Sequence, residues 1–77
     1  MEAMDNRPRH YAIYKNPSDF KGKYVLRRWI IDVKPIPDKI PIAVSESIEE
    51  VREHIPSGYI NIGRQPEDDV SILEVWV

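Results

Sequence analysis

Pro35, Pro37 and Pro41 crowd together in the middle of the chain. Proline has no backbone N–H to give to a sheet ladder, so this stretch cannot run as a central strand. It reads as a loop or an irregular sheet edge, after which Ile42-Ala43-Val44 can pair briefly as a third strand. The prolines thus separate two regions with different local patterns.

Before them, Arg9 to Lys15 contains His10-Tyr11-Ala12-Ile13-Tyr14, rich in aromatic and β-branched types, and reads as a strand. Asn16-Pro17-Ser18-Asp19 is a turn signal: proline fixes one backbone angle, and the Asn and Asp side chains bond nearby main-chain groups. Gly22 lets the loop close, and Lys23 to Val33 reads as the longest strand. The two form an antiparallel hairpin. Val25, Arg27, Trp29, Ile31 and Val33 share one face of the second strand; Tyr24, Leu26, Arg28, Ile30 and Asp32 share the other. The first set is the more apolar and is expected to meet the core.

After the prolines, Ser47-Ile48-Glu49-Glu50 matches a capping box, in which the Ser47 hydroxyl accepts from the Glu50 amide and the Glu50 side chain reaches back. Ile48, Val51 and Ile55 recur at spacings of three and four, a single apolar stripe. Pro56 and Gly58 end the helix. A helix this short does not hold in water alone and must dock. Tyr59 to Gly63 reads as a strand, Gln65-Pro66-Glu67-Asp68-Asp69 as a turn, and Val70 to Val77 as the last strand, a second hairpin.

The expected fold class is α+β: a mainly antiparallel sheet of four to five strands in the order β-β-(β)-α-β-β, with one short helix on one face. Residues 1–8 are expected to be a flexible arm and residues 9–77 a single domain. The length of 77 residues makes its margin of stability thin, and the absence of cysteine excludes disulfides and thiolate-bound zinc. No apolar run approaches the roughly 18 residues of a membrane span, and Met1 to Arg9 lacks the apolar stretch of a signal peptide. A cytoplasmic protein without membrane contact is therefore expected.

Charge divides along the chain. Residues 1–39 carry nine Lys/Arg against five Asp/Glu, and residues 40–77 carry two against eight. Either the halves attract each other within one fold, or the asymmetry marks a polar binding surface.

Apolar side chains fall on both faces at Val25-Leu26, Ile30-Ile31 and Ile72-Leu73, yet one helix shelters one face. Either the proline stretch folds over the second face with Ile36, Ile40 and Ile42, or a second copy or another protein covers it. Each large side chain left in water forgoes roughly 1.5–3 kcal/mol, and contiguous exposed apolar surface marks interaction sites. The expected role is accordingly a non-enzymatic protein-binding or self-associating domain, acting on a protein partner or as a homodimer.

Basic and aromatic residues interleave in the first hairpin, giving a candidate binding surface of Tyr14, Lys15, Lys21, Lys23, Tyr24, Arg27 and Arg28, with Trp29 beside it. Aromatics can stack single-stranded bases while Lys and Arg neutralise phosphates. Single-stranded nucleic acid is the alternative partner, although no RNP-like or GXXG pattern is present. The competing reading is a solvated face with core aromatics. Glu50 and His54 lie one helical turn apart and could bind metal or move a proton. Two ligands do not make a site, and a His near a helix C-terminus is favoured by the dipole. Glu67-Asp68-Asp69 lacks the alternating spacing of a calcium loop and reads as a turn. No nucleophile-elbow pattern surrounds any serine. No catalytic residue, metal or cofactor is expected.

Tyr11-Ala12-Ile13-Tyr14-Lys15-Asn16-Pro17-Ser18-Asp19-Phe20, Tyr24-Val25-Leu26-Arg27-Arg28-Trp29, Arg64-Gln65-Pro66-Glu67-Asp68-Asp69-Val70 and Glu74-Val75-Trp76 carry a resemblance. The chain resembles a group of small, uncharacterised bacterial and phage-borne proteins of similar length, over most of the sequence after residue 9. The resemblance implies a self-contained domain and carries over no functional residue. It supplies no activity; small phage-borne proteins often act by binding a host protein, which leans the same way as the apolar second face.

Overall fold

A computed structural model of the chain describes residues 8–31, 35–37 and 40–77. The expected arm falls almost wholly outside these, as do Asp32 and Val33. The described elements are β1 (Arg9–Lys15), β2 (Tyr24–Ile31), β3 (Pro35–Pro37), β4 (Ala43–Ser45), α1 (Ile48–Arg52) and β5 (Ile72–Trp76). They form one open antiparallel sheet with one short helix, an α+β arrangement.

The first hairpin is as the turn chemistry dictates. β1 and β2 pair antiparallel, with Ile13 opposite Leu26 and Lys15 opposite Tyr24. Asn16 sits at φ 54°, in the left-handed region that asparagine tolerates, and its Oδ1 accepts from the Gly22 N–H at 2.7 Å. Gly22 itself takes φ 77°, which a side chain would oppose.

The sheet runs β3-β2-β1-β5. β3 and β4 share the outer edge of β2: Pro35–Pro37 lies along Trp29 to Ile31, and Ala43–Ser45 along Tyr24 to Leu26. Within the proline stretch, Pro35–Pro37 is therefore an edge strand. Ile40 is 81% exposed, which removes it as a cover for the second face. β5 returns to pair with the side of β1 that faces away from β2, so the first and last strands lie side by side, with β5 at the end of the order.

The second hairpin differs from expectation. Residues 59–63 do not form a strand; they contribute one bridge, Asn61 to Trp76. Three hydrogen bonds hold them to the end of the chain, a reciprocal pair between Ile60 and Val77 and one from the Ile62 N–H to the Val75 carbonyl. The element order after the helix is thus a short pairing segment and a single strand.

The helix packs on the face of β2 that carries Tyr24 and Leu26. The main cluster joins Tyr11, Ile13, Leu26 and Val51, with Tyr24, Ile48, Ile55, Tyr59 and Trp76 packed against it. The Val25 face is expected to meet the core; the main cluster instead lies on the Leu26 face, although Val25 is itself fully buried. Both faces of β2 are apolar, so a period of two cannot choose between them. Tyr59 closes this side: its ring meets Tyr11 edge-on at 4.9 Å, and its hydroxyl donates to the Arg9 carbonyl at 2.9 Å.

Helix α1 begins at the expected residue but stops at Arg52, short of Ile55. The residues after it tighten into a turn in which the His54 and Ile55 N–H groups reach back three residues to Val51 and Arg52. Pro56 disfavours a helical Ile55, which explains the early end. The cap is also rearranged. Ser47 makes no side-chain capping bond. Its N–H donates instead to the Ser45 hydroxyl at 3.0 Å, and that hydroxyl donates to the Glu50 carboxylate. Glu50 still secures the helix start, through Ser45 as a relay. Ser45→Ala is therefore expected to cost about 1 kcal/mol, a typical capping loss, while Ser47→Ala costs less; urea denaturation of the two variants checks the order.

Candidate functional site

The sheet's second face has buried residues of its own. Ala12, Val25 and Ile72 are buried but stand outside the helix-side cluster. Ile72 arrives there through an irregularity. The register between β1 and β5 shifts between Ile13 and Tyr14, so Tyr14 lies opposite Ile72 while Ile13 lies opposite Glu74. Ile72 and Glu74 would share a face in a regular strand. The bulge separates them, sending Glu74 towards the helix and Ile72 to the second face.

Over this face lies an open cavity of about 610 Å³. Its floor is the sheet: His10 and Ala12 from β1, Trp29 and Ile31 from β2, Ile72 and Val75 from β5. Its wall is the loop after the helix, which brings Ile62, Gln65, Glu67 and Asp68 alongside. This volume falls in the range of ligand-binding clefts, which are apolar with a few placed polar groups.

The loop is held by its own hydrogen bonds. The Asp68 carboxylate accepts from the Gln65 N–H at 2.8 Å. Asp69 accepts from both the N–H and the hydroxyl of Ser71, at 2.9 and 2.7 Å, and these bonds hold its carboxyl below the usual range. Arg64 directs its hydrogen bonds to the Asp68 and Asp69 carbonyl oxygens, while its charge adds to the lowering of the Asp69 carboxyl. The acidic run is therefore the frame of a turn. Glu67 stands apart: it is exposed, at the rim of the cavity, with no hydrogen bond or ion pair described.

Apolar surface continues beyond the cavity. Ile60 is 67% and Ile62 48% exposed, beside Val77 at the same margin of the sheet. On the floor, the Trp29 indole N–H is buried beside the Tyr14 hydroxyl, and among the described residues no acceptor meets it at good hydrogen-bonding geometry. Such a donor costs about 1–3 kcal/mol when left unsatisfied.

The basic and aromatic residues of the first hairpin are divided by the structure. The pairing register places Tyr14 and Arg27 on the second face, and Lys15, Tyr24 and Arg28 on the helix side. Tyr24 packs against the main cluster. Arg27 pairs with Asp19 and lies 6.0 Å from the centre of the Tyr14 ring. Burial pushes the Tyr14 hydroxyl above its ordinary pKa, outweighing the neighbouring Trp29 and Arg27. Lys23 pairs with Glu46 at 3.0 Å, an attraction between the basic and acidic halves. Lys21 lies exposed in the connecting loop. These seven residues do not assemble into one stacking platform.

His54 turns back on its own helix, its Nδ1 3.1 Å from the Glu50 carbonyl, and does not join the Glu50 carboxylate. Among the described residues, no group of three or more metal-ligating side chains occurs. Within them, no helix is long and apolar enough to cross a membrane.

The second face is expected from its apolar residues to need cover, and the residues that surround it carry a weaker signal. Ile60, Ile62, Val75 and Val77 alternate with polar or helix-side residues, and that shared phase was the available signal. No family model, curated protein or solved structure matches the chain.

Proposed function

We propose that this chain is a non-enzymatic protein-binding domain that engages its partner through the second face of the sheet. The observation that carries this reading is the open apolar cavity continuous with Ile60 and Ile62. A domain of this length gives up stability for every large side chain it leaves in water, so a contiguous set of them supports an interface. The cavity admits an anchoring side chain of the kind that dominates binding energy at interfaces. The division of Tyr14, Lys15, Tyr24, Arg27 and Arg28 between faces counts against the nucleic-acid alternative.

Nile red, a neutral dye that brightens in apolar clefts, tests the reading. The folded chain is expected to light the dye, and Ile62→Lys at the exposed rim is expected to abolish most of the signal without moving the urea midpoint. A folded chain that leaves the dye dark, and that light scattering shows to be monomeric at all concentrations, overturns it.

A further inference from the structure

We propose that the partner segment received by this cavity pairs a bulky apolar side chain with a lysine or arginine. The inference rests on the protein-binding reading above and adds the partner's chemistry to it. Its argument is charge complementarity across a short distance. The cavity is apolar within, from Ala12, Ile62, Ile72 and Val75, and acidic at its loop side, from Glu67 and Asp68. Asp68 is engaged with the Gln65 N–H, but the Glu67 carboxylate has no described partner. The one guanidinium in this loop, on Arg64, is spent on backbone carbonyls and does not neutralise it.

An apolar group entering here brings its neighbouring atoms against Glu67. A cation there gains a partly desolvated ion pair, a neutral group gains nothing, and an anion is repelled. Charge at such a rim sets selectivity more than affinity, so the effect is a preference among ligands of equal apolar bulk.

Three small probes that share an indole and differ in charge separate these terms: tryptamine (cationic), tryptophol (neutral) and indole-3-propionate (anionic). Each is titrated into the isotope-labelled full chain at low salt and followed by NMR. The expected result is that all three move the signals of Ala12, Ile62 and Val75. Tryptamine should bind about two- to fivefold more tightly than tryptophol, the scale of an exposed ion pair, and indole-3-propionate more weakly still. The tryptamine advantage should shrink with added salt and vanish in Glu67→Gln, an exposed position whose change leaves the fold intact. Equal binding of all three, or an advantage that survives Glu67→Gln, overturns the charge assignment and leaves the apolar interface standing. No movement at Ala12, Ile62 and Val75 with any probe overturns both. Concentration-dependent shifts of the same signals without probe assign the face to a second copy of the chain and overturn the proposed partner.

Discussion

Leu26→Ala is expected to lower the stability of the chain by about 3–4 kcal/mol, the scale measured for fully buried leucines. Leu26 has no exposed surface and sits between Ile13 on the next strand and Val51 on the helix. A chain of 77 residues has roughly 4–12 kcal/mol in total by the usual per-residue range. Losing about 3 kcal/mol therefore moves the urea midpoint by about 1–3 M, since small proteins lose roughly 1–3 kcal/mol per molar urea. Val25→Ala, one position along the same strand, is expected to cost about 2 kcal/mol. It too is fully buried, but its side chain is smaller and lies on the second face, away from the helix. Ile40→Ala, at a highly exposed site, should change stability by less than about 0.5 kcal/mol. Parity between Leu26→Ala and Ile40→Ala in urea would sink the assignment of the helix-side cluster as the main core.

The contrast between Leu26 and Val25 also shows where sequence reading reached its limit. β1 and β2 were legible because each is a run of β-branched and aromatic residues bounded by a turn of Asn, Pro and Gly, which act within a few residues. The helix start was legible for the same reason: the Ser and Glu residues around Ile48 act locally, even though Ser45 took over part of the role assigned to Ser47. The choice of face on β2 is not local. It depends on which side α1 docks, and the alternation there is apolar in both phases. The position of Ile72 depends on a bulge that exists only because β5 pairs with a strand some sixty residues earlier in the chain. The cavity lay further out of reach. Gln65-Pro66-Glu67-Asp68-Asp69 declares that the chain turns, but a turn signal does not say on which side of a sheet the loop will lie. The need for cover on the second face was readable from composition; the identity of the wall, Ile62 to Asp68, required the fold.

Arg52→Met is expected to cost about 2–3 kcal/mol at neutral pH and, more tellingly, to reverse the sign of the response to acid. Glu74 is buried on the helix side, with 11% of its side chain exposed. Arg52 engages both its oxygens, Nε–H to Oε1 at 3.1 Å and an Nη–H to Oε2, and the Trp76 indole N–H donates to Oε1 at 3.0 Å. Burial by itself pushes this carboxyl up, and it is the largest influence; the Arg52 and Trp76 hydrogen bonds together outweigh it and hold the pKa below its ordinary 4.5. A carboxylate with a depressed folded pKa stabilises fully above its unfolded value and loses that contribution as pH falls through the folded one. The native chain should therefore weaken in acid below about pH 4.5. With Arg52 gone, burial dominates and the folded pKa rises above 4.5. The ionised carboxylate then destabilises the fold near neutrality, and stability should increase as pH falls from about 7 towards 5. The cost is set below the 3–5 kcal/mol of a fully buried pair because 39% of the Arg52 side chain remains in water. Glu74→Gln, which removes the charge and keeps an acceptor for Trp76, should flatten the acid response of both backgrounds, and Arg52→Met with Glu74→Leu should recover most of the loss by replacing the pair with apolar contact. Urea midpoints across pH for the native chain and these four variants decide it: if Arg52→Met weakens in acid as the native chain does, burial of Glu74 is not what the arginine offsets.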